Sequence, residues 1–171
     1  MKNKIKILLP IMFFLSLIIA GCDGNFAKIS DKNESQVKVS DLLKYKNSYI
    51  GDNSAVGNII SKLPGNTYSA GFSLETKNSP YEVTINYKPN NNSKVGEYDS
   101  FWASKKPDEF LEKNAVILLA LIKNADVVQF NVEDVGDKNY KYNRKDLEKK
   151  YGTDLRVLFK DEASAKKFLN E

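Results

Sequence analysis

Eight consecutive apolar residues, Ala115 to Ile122, are the hardest part of this chain to place. They follow Pro107-Asp108-Glu109, where proline suits the first helical position and the two acids suit the positive end of a helix dipole. The pattern predicts a helix from Pro107 to about Lys123, ended by Asn124. A helix that is apolar all round has no face to turn to water, so its middle must be the buried centre of the fold. The rest of the chain then has to supply a shell around it.

Part of that shell reads as strands. Tyr68, Ala70, Phe72 and Leu74 alternate with Thr67, Ser69, Ser73 and Glu75, and Tyr81, Val83, Ile85 and Tyr87 alternate with Glu82, Thr84, Asn86 and Lys88. The turn chemistry of "TKNSP" between them predicts a hairpin with one wet face. Val128, Phe130 and Val132 alternate with Gln129, Asn131 and Glu133 as a third strand. Short helices flank these segments. Ser40-Asp41 suits an N-cap before Leu42, Leu43 and Tyr45. Asp52 or Asn53 caps a helix whose Val56, Ile59, Ile60 and Leu63 share a face, and Pro64-Gly65 stops it. A further helix spans Arg144 to Tyr151 and closes at Gly152, and Asp161 caps a last one running to Leu169. "LRVLF" reads as a short strand, and "KPNNNSKVGEYDS" and "EDVGDKN" read as loops. The expected class is α+β: a small, mostly antiparallel sheet, hairpin plus third strand, packed against a buried central helix with flanking short helices.

The front of the chain has a different logic. Lys2, Lys4 and Lys6 precede an apolar run from Ile7 to Ala20, broken only by Pro10 and Ser16. As a helix that run would reach about 21 Å, short of a bilayer core of about 30 Å, so residues 1–21 read as a cleaved export signal. It ends in Ile19-Ala20-Gly21-Cys22, which resembles the lipobox of bacterial lipoproteins. That resemblance implies a diacylglyceryl thioether on Cys22 after cleavage, and two acyl chains hold a membrane where one gives only marginal, reversible binding. Cys22 is the only cysteine, so the mature chain is held together by packing and not by an internal disulfide. Residues 22–38 read as a flexible tether and 39–171 as one α+β domain. The expected location is the extracytoplasmic face of the cell membrane.

Charge has to be read after removing the signal. The whole chain is +4, but the signal holds three lysines and no acid, which leaves +1 over 22–171. That balance argues against a nucleic-acid partner, which needs a basic stripe.

Beyond the signal, "KYKNSYIGDNSAVGNIISKLP", the strand pair after it, "FWASKKPDEFLEKNAVILLALIKNADVVQFNV" and "YNRKDLEKKYG" together resemble the family called domain of unknown function 4825. The resemblance spans roughly Asp41 to Tyr151, and its most specific piece is Tyr49-Ile50-Gly51-Asp52-Asn53-Ser54. It implies a Gram-positive envelope lipoprotein with no assigned activity, of a kind also carried outside the membrane by some penicillin-sensor-type membrane metalloproteases. No catalytic residues carry over.

The residues themselves offer little chemistry. There is no histidine, which removes the commonest general base, the usual zinc ligand and any Ser-His-Asp triad. Ser35/Lys38 and Ser164/Lys167 match the spacing of a Ser-Lys pair, but fourteen serines and 24 lysines produce about two such matches by chance. After Asp134 the alternate positions of a calcium loop hold Gly136 and Lys138, which do not fit. No metal and no cofactor is expected. Two places remain as ligand-binding candidates. Trp102, in the loop feeding the central helix, is a binding anchor if exposed and a core residue if buried. Asp52 and Asn53 either face a ligand or satisfy a helix N-terminus. The expected function is therefore a non-catalytic, membrane-anchored binding or sensory-accessory module whose partner is an envelope protein or small ligand. The alternative is an envelope hydrolase using a carboxylate pair.

Overall fold

A computed structural model describes residues 37–91, 94–133 and 138–170. The signal, Cys22 and most of the stretch assigned to the tether lie outside the described residues. Val37, at the end of that stretch, is buried, so the packed domain starts slightly before residue 39.

The elements run α1 (Val39–Leu43), α2 (Asn53–Ile60), β1 (Ser69–Glu75), β2 (Glu82–Tyr87), α3 (Glu97–Ala103), α4 (Pro107–Leu121), β3 (Val127–Val132), β4 (Lys138–Asn143), α5 (Arg144–Tyr151), α6 (Leu155–Leu158) and α7 (Glu162–Asn170). The class is α+β with one four-stranded sheet in the order β1-β2-β3-β4.

The sheet is mixed, which corrects the expectation of a mostly antiparallel one. β1–β2 and β3–β4 are antiparallel, but β2 and β3 are parallel, with Glu82 opposite Val127 and Tyr87 opposite Val132. The cause is the connection between them. α3 and α4 carry the chain back along the sheet, so β3 starts at the end where β2 started.

Other corrections follow from tertiary packing. The stretch expected to be a loop before α4 contains α3, whose Tyr98, Phe101 and Trp102 are all buried. Of the loop expected over residues 133–139, positions 134–137 lie outside the described residues and 138–139 open β4, whose Tyr140 is buried opposite Phe130. "LRVLF" is mostly α6, a single helical turn capped by Asp154, whose side chain accepts from the Arg156 amide. Ser40 and Asp41 lie inside α1, and Lys38 takes the cap position without a side-chain hydrogen bond. β1 carries an extra residue between Ser69 and Phe72, with Gly71 at φ +109°, so the alternation slips and Ala70 is exposed.

Ten of the fifteen residues of α4 are buried: Phe110, Leu111 and every residue from Asn114 to Leu121. Asn114 is the one polar side chain among them, and its Nδ2 donates to the Pro64 carbonyl at 3.1 Å. Above the first turn of α4, Trp102 meets Phe101, Tyr87 and Phe110 edge-on, with ring centroids at 5.1, 5.4 and 5.9 Å. Burial holds the Tyr87 hydroxyl far above its ordinary pKa, with the Asn114 hydrogen bond pulling the other way. The helices and these rings cover one face of the sheet. The other face is open.

Candidate functional site

Alternation along β2 and β3 sends Val83, Ile85, Tyr87, Val128, Phe130 and Val132 into the core. It leaves Thr84, Asn86, Gln129 and Asn131 on the opposite face, half-buried. In-register pairing then assembles rows across the strands. Thr84, Gln129 and Lys141 form one, and Asn86, Asn131 and Asn139 form the next. Asn131 is the hub of this surface. Its Nδ2 donates to Asn86 Oδ1 at 2.8 Å, and its Oδ1 accepts from Gln129 Nε2 at 2.9 Å. A side-chain amide has two donor hydrogens and two acceptor lone pairs, so these bonds leave spare capacity on each residue. Thr84 donates to Glu82 at 3.1 Å, and Lys141 pairs with the same carboxylate at 2.8 Å. The surface is a level array of neutral hydrogen-bonding groups with few charges.

Each end of the array opens into a hollow. One, about 150 Å³, is lined by Asn86, Lys88, Asn131, Glu133 and Asn139 among others, and Lys88 and Glu133 pair across it at 3.1 Å. The second is a cleft of about 560 Å³ where β2 and β3 begin and β4 ends, so the row Glu82, Val127, Asn143 runs into it.

The walls of the cleft are the cis Ser79–Pro80 bond, Asp126, and Arg144, Lys145, Asp146 and Glu148 on α5. Asp126 Oδ2 accepts from the Tyr81 amide at 2.8 Å and from Ser79 Oγ at 3.2 Å, which braces the turn entering β2. Arg144 is turned inward. Its Nε donates to the Ala125 carbonyl at 2.9 Å, and one terminal nitrogen donates to the carbonyls of Leu119 at 2.6 Å and Ile122 at 3.0 Å. Leu119 lies in the last turn of α4, Ile122 is its C-cap and Ala125 follows it, so the guanidinium works as a C-terminal cap. Its other nitrogen lies 3.6 Å from Glu148. Burial is the main influence lowering the Arg144 pKa, Arg156 adds repulsion and Glu148 opposes both. An arginine remains charged at neutral pH in any case. Asp146 accepts from Asn143 at 3.1 Å. Asp126 and Asp146 each brace the cleft through one oxygen, whereas Glu148 Oε1 is buried with only the 3.6 Å ion pair to Arg144 and no hydrogen bond. Among the described residues, no group of three or more acidic, histidine or cysteine side chains is placed to hold a metal ion.

The residues singled out in the sequence fall elsewhere and are not joined. Trp102 sits on α3, only 1 % exposed, inside the aromatic cluster. Asp52 accepts from the Ala55 amide at 2.9 Å and caps α2. Asn53 is exposed as the first residue of that helix. The partners of Asp52 lie within α2 and those of Trp102 within the ring cluster, so the structure does not bring the two together. The turn around Asp52 and Asn53 is instead docked on the end of α4. Ile50 donates its amide to Asn124 Oδ1 at 2.8 Å, and Lys123 donates its amide to the Ser48 carbonyl at 2.7 Å. Cys22 lies outside the described residues.

The amide rows are only half visible in the sequence. Alternation marks Thr84, Asn86, Gln129 and Asn131 as outward residues, but a loop in place of β4 leaves Asn139 and Lys141 without a position. The period-two pattern of Tyr140 and Tyr142 is the signal that reveals the strand.

Comparison with known proteins gives one positive result. No curated protein and no solved structure matches the chain. The family described as "Domain of unknown function (DUF4825)" matches residues 42–143, which takes in the end of α1 and everything from α2 through β4, and thus the whole sheet with its amide rows. The chain belongs to that DUF4825 family.

Proposed function

We propose that this chain is a lipid-anchored, extracytoplasmic binding or sensory-accessory module of the bacterial envelope, without chemistry of its own. The observation that carries the binding role is the open sheet face with its rows of neutral amides and a hollow at each end. Such a surface suits an uncharged ligand rich in hydroxyl or amide groups, because each row offers donors and acceptors at strand spacing. In this reading α4 is the buried central support that keeps the sheet rigid behind the face. The anchor reading rests on the lipobox-like Ile19-Ala20-Gly21-Cys22.

The two parts are tested separately. Cys22→Ser is expected to release the protein to the medium or leave it as unprocessed precursor, read by fractionation and intact mass. A mutant that still floats with membranes at the mature mass would disprove the anchor. For the face, amide chemical shifts of the unacylated mature chain are followed while solubilised envelope polymers are added. Shifts gathered on Thr84, Asn86, Gln129, Asn131, Asn139 and Lys141, and reduced about tenfold in apparent affinity by Asn131→Ala, are expected from loss of one or two hydrogen bonds worth about 1 kcal/mol each. Shifts centred on Asp52 and Asn53 instead would move the site.

The hydrolase alternative has one observation in its favour: Asp126, Asp146 and Glu148 all line the cleft. Asp126 and Asp146 already brace the walls through one oxygen each, so Glu148, whose Oε1 has no hydrogen-bond partner, is the carboxylate this alternative would use. Polymer cleavage abolished by Glu148→Gln would revive it.

A further inference from the structure

Charge is unevenly distributed over the domain, and the imbalance sits where the chain from Cys22 enters. Residues 37–48 hold three lysines and one aspartate, and residues 154–171 hold four basic and four acidic side chains, with Arg156 paired to Asp154 at 2.7 Å. These two segments together carry +2, against −1 for the rest of 22–171. They are far apart in sequence but packed together. α1 contacts α7, α6 contacts α7, and Lys46 Nζ donates to the Lys160 carbonyl at 2.6 Å. Lys46 and Lys160 are both close enough to Asp161 to lower its pKa, after its hydrogen bonds to Ser164.

An apolar strip runs through this basic end. A groove of about 190 Å³ between α6 and α7 is lined by Val157, Leu158, Lys160, Ser164, Lys167 and Phe168. Val157 is 47 % exposed, and Lys160 and Lys167 are exposed on the groove. An apolar floor rimmed by lysines is the composition of a surface that rests in the headgroup layer, with aliphatic groups towards the acyl boundary and ammonium groups on phosphates.

We propose that the α1–α6–α7 end is the membrane-facing side of the domain, where the Val157 groove and its lysines rest on anionic lipid headgroups. Chain length agrees with this. Fourteen residues separate Cys22 from Val37, a reach of at most about 50 Å, so in the anchored reading the chain enters the domain at this end, within that distance of the bilayer. Charge attraction at about 1 kcal/mol per lysine is weak alone, but a short tether supplies the effective concentration to make it persistent. With the basic end on the lipid, the direction in which the amide face points is set by the domain and not left to the tether.

The orientation builds on the anchored reading, but its test does not. The mature chain with Cys22→Ser carries no acyl group, so failure of acylation cannot affect it. This protein is mixed with vesicles of phosphatidylcholine alone, or of phosphatidylcholine and phosphatidylglycerol in about equal parts, and sedimented. At low salt and with lipid in large excess, so that weak untethered binding is read, binding to the anionic vesicles only is expected, falling steeply as added salt shortens the screening length below about 8 Å. The pair Lys160→Glu and Lys167→Glu should reduce it about tenfold or more, and Val157→Asp should weaken it as well. The pair Lys105→Glu and Lys106→Glu makes the same charge change at the start of α4 and should have little effect. Circular dichroism of each variant establishes that it is folded. Equal binding to neutral vesicles, no binding to anionic ones, or equal loss from both lysine pairs would overturn the proposal.

Discussion

Leu118→Asp is expected to abolish folding at neutral pH. Leu118 is 0 % exposed in the middle of α4, between Ile117 and Leu119, which are equally buried. Among the described residues, no lysine or arginine side chain is fully buried where it would neutralise a carboxylate there. A buried, unpaired charge costs so much that the group protonates instead, and the folded state then carries a desolvated acid plus the volume lost from leucine. Several kcal/mol is a large share of the roughly 5–15 kcal/mol that stabilises a typical domain. The pKa of this aspartate would be raised in the folded state, so the destabilisation is smallest at low pH and grows as pH rises past the unfolded value. Leu118→Ala provides the scale, at about 2–5 kcal/mol from cavity formation with the fold retained. Circular dichroism at two pH values reads whether Leu118→Asp folds, and urea unfolding measures Leu118→Ala. Near wild-type stability for Leu118→Asp at neutral pH would show that α4 is not the buried centre.

Arg144→Ala is the second large effect, expected at about 3–5 kcal/mol, the usual cost of removing one partner from a buried charged network. The guanidinium side chain is 11 % exposed, so solvent does little to replace it. Its loss leaves the carbonyls of Leu119, Ile122 and Ala125 without these donors and Glu148 without its cation. Two further substitutions separate the causes. Glu148→Ala should cost much less, about 1 kcal/mol, because the ion pair is the longest of the contacts and the carboxylate is partly solvated. Arg144→Lys should recover only part of the loss, since an ammonium lacks the fork that reaches carbonyls on both sides. If Glu148→Ala is as damaging as Arg144→Ala, the ion pair and not the cap is what matters. Guanidinium or thermal unfolding of the three variants decides.

These two residues also mark how far local patterns reach. The apolar run around Leu118 announces its helix because eight apolar residues in succession leave only a narrow choice of environment. Arg144 announces nothing. Its neighbours read as the start of a surface helix, and only the return of β4 to the end of α4 places its side chain under those carbonyls. Trp102 is intermediate. The sequence allows it two environments, and the choice depends on α3. Local propensity does not reveal that helix, because its acidic, tyrosine-containing start follows a run of asparagines that reads as a loop.

Elements with a clear local cause were settled before any folding into three dimensions: proline and acids at the start of α4, Gly152 closing α5, the Asp52 and Asp161 caps, and the alternation of β2 and β3. Each depends on residues a few positions apart, where helix and strand periods apply directly. Tertiary packing alone chose which strands are neighbours, ran β2 and β3 parallel, paired "KNYKYN" as an edge strand, and set Asn86, Asn131 and Asn139 in one row. Those facts join residues up to 53 positions apart, and no local pattern records them. They arise because the crossover through α3 and α4 sets the direction of β3, and because a one-residue change of register would turn every core side chain of that strand to water.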